Sequence, residues 1–294
     1  MRTPLIKPNL LVIGAQKGGT TWLHHCLDFH PSVFMSKIKE LHFFEKSPQV
    51  LQDEFPNYCA NFNSGATHRL RGESTPVYFW TCPEDPSSVR GYPPNRHVPE
   101  TVRQYLGEDI WLLLALRCPV ERAVSGFFHN FRAGRLDPAK SIFDQGHRFG
   151  ILDRGHYKRH FLRWRAAFDM TRFVITLYDD IRSDPAGTAR RLYQHLGLPP
   201  LDYTQGHVLR NPGLERAIVT GRLVVSPTSA SKVNRKYFHG GMRADPARGS
   251  CAVTQSDVDR LAEFYTEDIR FVKDLLQRPD LRWGRRPLAE FVGE

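Results

Sequence analysis

The stretch from Asn9 to Leu23, Asn-Leu-Leu-Val-Ile-Gly-Ala-Gln-Lys-Gly-Gly-Thr-Thr-Trp-Leu, restricts what this chain can fold into more than any other. Leu10 to Ile13 form a short apolar run, as in a strand buried on both faces of a parallel sheet. Gly14 interrupts it, and the turn from Ala15 to Gly19 can bring backbone N–H groups close to an anion. Thr20 and Thr21 open a helix that runs through Leu27, with its positive N-terminal end directed at the same place. Strand, glycine turn and helix in this order predict a phosphate cradle in an α/β protein.

The common phosphate loop reads G-x-x-x-x-G-K-[ST]. Gly14 and Gly19 occupy its glycine positions and Thr21 its final hydroxyl, but Thr20 stands where lysine belongs and Lys17 lies inside the loop. An ATPase lysine follows the second glycine and reaches the β- and γ-phosphates, so this loop suits a different ligand. A glycine turn with no ligand is the competing reading.

Two later apolar runs extend the sheet. Ile110 to Leu116 reads as a central parallel strand that delivers Arg117 where a Walker-B strand would carry a magnesium-holding acid. Pro119 suits the first turn of a helix to about Phe131, with Ser125 two turns along it. A guanidinium at the C-terminal edge of a doubly wound sheet suits a second phosphate, or a structural ion pair with Glu121 or another carboxylate. Phe173 to Tyr178 is a third strand, and a helix follows from about Pro185 to Leu196. Further helices are predicted at Val98–Leu106, from Tyr157 to about Phe168 with Leu162, Trp164 and Phe168 inward, and from Ser256, as N-cap, to Leu276. Residues 46–68 read as loop and short helix, and the proline-rich 81–97 (Pro83, Pro86, Pro93, Pro94) and the polar 133–153 as irregular loops. The expected fold is a three-layer α/β/α sandwich around a parallel sheet, in a single domain spanning 1–294.

At 294 residues the chain can bury a large core, and its net charge of +10 implies anionic partners. The basic residues are dispersed, so nucleic acid is not the expected partner. Cys26, Cys59, Cys82, Cys118 and Cys251 are scattered without CxxC spacing, which predicts free thiols in a reducing compartment and no metal site. The first residues hold only a short apolar patch broken by Pro4, Lys7 and Pro8, so a soluble cytoplasmic protein without a membrane span is expected.

Within Met35 to Phe44, Lys39, Glu40 and His42 crowd together. An extended backbone would put Glu40 and His42 on one side and Lys39 on the other. A solvated charged loop is the alternative.

Taken together, these motifs resemble the sulfotransferases that use 3′-phosphoadenosine 5′-phosphosulfate, whose fold is similar to that of P-loop NTPases. Gly14 to Trp22 resembles the family's 5′-phosphosulfate loop, and Arg117 with Ser125 its 3′-phosphate motif. Lys39-Glu40-Leu41-His42-Phe43-Phe44 and Gly72-Glu73-Ser74-Thr75-Pro76-Val77-Tyr78 are similar to segments of the heparan-sulfate and bacterial branches. Arg154-Gly155-His156-Tyr157 and the pattern from Phe264-Tyr265 to Trp283 extend the likeness over most of the chain.

The resemblance implies that Lys17, Gly18, Gly19, Thr20 and Thr21 bind the phosphosulfate, with Trp22 an adenine contact or a core residue. Arg117 and Ser125 would take the 3′-phosphate. Lys232 and Arg235 would close over the nucleotide, or belong to a plain surface loop. Lys17 would stabilise charge on the bridging oxygen, and Glu40 or, as runner-up, His42 would take the acceptor's proton.

Heparan-sulfate enzymes carry lysine where this chain has Ser74. The departure points away from a heparan-type acceptor and toward a bacterial-type enzyme acting on a small molecule, lipid or sugar, with Lys39 a replacement for the missing charge. Phe55, Tyr58, Phe62, Tyr92 and Phe143, in the loop segments, would line the acceptor pocket or serve as packing. The acceptor hydroxyl or amine and the oligomeric state, a homodimer included, are left open. A P-loop kinase or phosphotransferase and a non-catalytic basic nucleic-acid binder are the competing functions.

Overall fold

The computed structural model describes residues 4–81, 95, 97–204, 216–225 and 252–292. Cα packing divides them into two compact units that alternate along the chain. The first holds residues 4–81, 95, 97–117 and 159–204; the second holds 118–158, 216–225 and 252–292.

The first unit is built on five parallel strands in the order β2-β3-β1-β4-β5. They are β1 (Leu10–Gly14), β2 (Val33–Met35), β3 (Leu70–Ser74), β4 (Trp111–Leu116) and β5 (Phe173–Leu177). The three expected apolar strands are therefore three neighbouring strands, β1-β4-β5, and Leu10 to Ile13 are fully buried. Alternation distributes their side chains between two faces. Leu10 and Val12 join Leu113, Ala115 and Val174 in one cluster with Leu23, Cys26 and Leu27 of α1 (Thr20–Asp28) and with Ala189, Leu192 and Tyr193. The last three residues come from a helix at Pro185–His195.

On the other face, Phe161 meets Phe173 with ring centroids 5.1 Å apart. Phe161 belongs to the Tyr157–Ala167 helix, all but the first two residues of which lie in this unit. Helix, sheet and helix give the three-layer order expected for this fold class.

That same helix corrects one core assignment. Tyr157, His160, Phe161 and Trp164 are buried at helical spacing, whereas Leu162 is 51% exposed. One residue rotates the face by about 100°, so Leu162 cannot share the stripe of Phe161. The helix expected within residues 46–68 is Pro48–Ala60, with proline in its first turn. Tyr58 and Phe62 on or just beyond it are core residues, and Tyr58 stacks on Phe43 at 4.4 Å.

The second unit contains the helix Pro119–Arg132 and a three-stranded antiparallel sheet that was not anticipated. Its strands are Arg216–Val219, Arg222–Val225 and Ala252–Thr254. The expected long last helix is two, Gln255–Phe264 and Thr266–Leu275, parted at Tyr265. Its N-cap is Thr254 and not Ser256: the Thr254 hydroxyl accepts from the Asp257 N–H, and the Asp257 carboxylate accepts in return from Thr254. Tyr265 is fully buried and donates its hydroxyl to the Leu152 carbonyl at 2.6 Å. Beside it, Asp268 receives the His156 ring and the Lys158 N–H, both at 3.0 Å. The Arg154 to Tyr157 motif and the Phe264-Tyr265 pair thus meet in one clamp.

The turn after β1 depends on a glycine. A Cβ on Gly18 would lie 2.0 Å from the Ala115 carbonyl oxygen, a backbone atom that cannot step aside. Replacing Gly18 by Ala should lower stability by about 1–3 kcal/mol through overpacking, read as a drop in thermal midpoint. An unchanged midpoint would mean that the turn is looser than this packing requires.

Candidate active site

The loop between β1 and α1 closes through backbone bonds. Ala15 N–H donates to the Ala115 carbonyl at 3.0 Å, and Gly18 N–H to Ala15 at 2.9 Å. Gly19 is the N-cap of α1 at φ 106°, a conformation that side chains resist. Lys17, half-buried within the loop, has φ 68°.

Arg117 follows β4 and is 4% exposed, its guanidinium 4.5 Å from the centre of the Tyr178 ring. A Cβ on Gly19 would come 3.1 Å from the same ring. Tyr178, which the sequence did not single out, therefore links the loop to the arginine. Thr20 is buried and Thr21 partly so. Trp22 is 7% exposed and meets Tyr203 edge-on at 5.7 Å, in the core cluster beneath the sheet. Ser125 lies partly buried two turns into the Pro119–Arg132 helix of the second unit. Glu121 on that helix pairs with Arg286. Lys232 and Arg235 lie outside the described residues.

The 39–45 segment is not extended. Glu40 and His42 take φ values of 65° and 52°, so alternation does not apply and Lys39 is not on the far side. Its ammonium meets the Glu40 carboxylate at 2.6 Å. The second Glu40 oxygen lies 3.6 Å from His42 Nε2, and His42 Nδ1 lies 2.5 Å from Glu45 Oε1. Lysine, glutamate, histidine and glutamate thus form one alternating charge chain. Glu45 was legible only as the acid three residues after His42.

Charge follows from this geometry. The ion pair with His42, with help from Lys39, lowers the Glu40 carboxyl to about 2. The ion pair with Glu40 and then the hydrogen bond to Glu45 raise His42 to about 10. At neutral pH Glu40 is therefore a carboxylate and His42 an imidazolium.

This chain of charges is seated on the sheet edge. Glu40 N–H donates to the Ser74 carbonyl at 2.9 Å, while the Ser74 hydroxyl lies 2.9 Å from Nδ1 of His24 on α1. Burial, then the neighbouring His25 and Lys39, lowers His24 to about 4, so it is neutral at working pH. Glu73, beside Ser74, is fully buried and raised to about 7 by that burial, against the pull of Thr75 and Tyr78 hydroxyls. His24 and Glu73 passed unremarked as chemistry, because a polar residue on a helix or strand shows its burial only through tertiary partners.

Strained backbone concentrates where three candidate catalytic groups sit. Lys17, Glu40 and His42 are three of the six described non-glycine residues with positive φ, and such conformations persist where the surrounding structure enforces them. A parallel sheet with a glycine loop, a neighbouring arginine and an acid–imidazolium pair at its carboxyl edge defines a group-transfer enzyme of the phosphate-binding α/β class. The sulfotransferase domain family matches residues 7–211, and the chain belongs to that family.

Its relatives include human heparan sulfate glucosamine 3-O-sulfotransferase 6, 28% identical over 294 residues, covering 94% of this chain and 74% of that protein. The mouse protein of the same name is 28% identical over 231 residues, covering 73% of this chain and 60% of the relative. A sulfotransferase from Alicyclobacillus acidocaldarius has the same fold, with TM-score 0.62 and 18% identity over 92% of this chain and 96% of that one.

Because His42 is raised, its contribution to stability is complete below the ordinary 6.5 and is lost as pH climbs through about 10. In a histidine NMR titration, His42 should still be protonated at about pH 8, whereas His24 should stay neutral down to about pH 4. Glu45→Gln should lower the His42 midpoint. A wild-type His42 midpoint near the ordinary value would refute the charge chain.

Proposed function

We propose that this sulfotransferase moves a sulfuryl group from 3′-phosphoadenosine 5′-phosphosulfate to a hydroxyl or amine of a small-molecule, lipid or carbohydrate acceptor. The observation that carries this reading is the seating of the Glu40–His42 pair on Ser74, the residue that also touches α1 at the end of the phosphate loop. Proton acceptor and anion cradle thereby share one sheet edge. The residues fit such a donor, since Gly18 has no room for a side chain, Gly19 has a left-handed φ that disfavours one, and Arg117 offers a second cationic site near them. The heparan sulfate relatives are named as glucosamine 3-O-sulfotransferases.

Bound here, the donor supplies a sulfuryl group on a phosphate leaving group. Lys17 and the loop N–H groups would hold negative charge at the phosphosulfate, and Arg117 would take the 3′-phosphate. Glu40 accepts the acceptor's proton, and His42 as imidazolium steadies the carboxylate and nearby negative charge. Lys39, close enough to His24 to depress its basicity, puts positive charge near Ser74, where heparan-type enzymes carry lysine.

Ser74 favours an acceptor other than heparan sulfate. Tyr58 and Phe62 belong to the core and Tyr92 lies outside the described residues, which leaves Phe55 and Phe143, both partly buried, as described candidates for acceptor contact. Cytoplasmic residence belongs to the same proposal, supported by the free thiols Cys26, Cys59 and Cys118. No helix of the described residues is long and apolar enough to cross a membrane.

The test is donor-dependent transfer to a panel of phenols, alcohols, lipids and glycans. With the best acceptor and saturating donor, Glu40→Gln should cut kcat by about 100-fold or more, the scale of lost general-base catalysis. His42→Ala should cost less, because its charge supports the base without taking the proton. Full turnover by Glu40→Gln would remove Glu40 from the mechanism, and the absence of transfer to every acceptor would count against the donor assignment.

A further inference from the structure

Three consecutive backbone N–H groups of the 39–45 segment end on two hydroxyls. His42 N–H donates to Thr75 Oγ1 at 3.4 Å, while Phe43 and Phe44 N–H donate to the Tyr78 hydroxyl at 2.9 and 3.3 Å. Both hydroxyls donate to one carboxyl: Thr75 to Glu73 Oε2 at 2.6 Å and Tyr78 to Glu73 Oε1 at 2.9 Å. Tyr58 makes a longer approach to the same Oε1, at 3.4 Å. Glu73, Ser74, Thr75 and Tyr78 are all essentially inaccessible to solvent.

A hydroxyl has one proton and two lone pairs. Once Glu73 takes the protons of Thr75 and Tyr78, these oxygens face the segment as acceptors only, which is what three donating N–H groups require. The segment needs such a hold because Glu40 and His42 have left-handed φ values that their side chains disfavour. We propose that Glu73 is a positioning residue of the sulfotransferase site: through the hydroxyls of Thr75 and Tyr78 it fixes the backbone that aims Glu40 and His42.

The reason for a carboxyl at this buried place then becomes clear. An apolar side chain would leave Tyr78 free to turn its proton toward Phe43 N–H, where donor would meet donor. Groups facing Glu73 from the elements packed on it are Tyr58, Thr75 and Tyr78, with the His42 charge acting from a greater distance. Asn95 supplies an independent hold, its side chain donating to the Phe44 carbonyl at 2.7 Å and its N–H to the Glu45 carbonyl at 3.0 Å. Loss of the Glu73 relay should therefore loosen the segment without unfolding it.

This inference rests on the sulfotransferase reading for its catalytic meaning, but its primary readout needs no turnover. His42 should titrate far above the ordinary histidine value only while the segment holds it between Glu40 and Glu45. NMR titration of His42 is to be combined with kcat, donor KM and binding of 3′-phosphoadenosine 5′-phosphate in wild type, Tyr78→Phe, Glu73→Ala and Glu73→Gln. In Tyr78→Phe and Glu73→Ala the His42 midpoint should fall by about one unit or more toward its ordinary value. Their kcat should fall by about tenfold, the equivalent of one lost buried hydrogen bond, with donor KM and nucleotide affinity within about twofold of wild type.

Glu73→Gln keeps an acceptor for Tyr78 and should recover most of both losses. Tyr78→Phe removes only a hydroxyl, so it decides the question even if Glu73→Ala does not fold. An unmoved His42 midpoint with full kcat in Tyr78→Phe overturns the proposal. Equal loss of kcat and nucleotide affinity in all three variants also overturns it, because that pattern is general destabilisation. A shifted His42 midpoint in a protein without sulfuryl transfer would sustain the relay and refute the functional reading instead.

Discussion

The first unit depends on how closely two backbones approach beyond β1. Gly18 packs so near the Ala115 carbonyl that only hydrogen fits, and Ala15 N–H bonds that same oxygen. The tight turn starts α1 immediately at Thr20. Early entry into the helix puts His24 one turn later against the Ser74 hydroxyl, and the Ser74 carbonyl holds Glu40. A steric constraint in the glycine loop thus propagates, through a helix and a strand end, to the placement of Glu40.

Electrostatics divides the work between groups that look alike in sequence. Two histidines near the loop have opposite charge states: His24 is desolvated and neutral, while His42 lies between two carboxylates and is cationic. Two glutamates differ in the same way. Glu40 is held ionised by cations, and Glu73 is raised to about 7 because it is sealed from water with only hydroxyl partners. Environment, and not residue type, sets the two carboxyls apart.

Much of this was legible in advance. Continuous apolar runs identified β1, β4 and β5, since strands covered on both faces need no polar alternation. The glycine loop and Arg117 announced themselves by spacing. The conformation of residues 39–45 was not legible, because left-handed φ at Glu40 and His42 contradicts local preference and is held by bonds to Ser74, Thr75 and Tyr78, 33 to 35 positions away. Leu162 misled for a related reason: an apolar residue in an amphipathic helix is inward only if the helix phase is known, and His160 and Trp164 set that phase. The antiparallel sheet of the second unit escaped notice because its strands are three or four residues long in a basic, loop-like context.

The central claim is that the lysine displaced into the loop and the arginine after β4 select a nucleotide bearing a 3′-phosphate. Isothermal calorimetry with 3′-phosphoadenosine 5′-phosphate and with ADP, each with and without Mg²⁺, tests it most directly. The site described here predicts tight binding of the 3′-phosphorylated nucleotide without magnesium and much weaker binding of ADP. Equal affinity for the two, or binding that requires Mg²⁺, would contradict it.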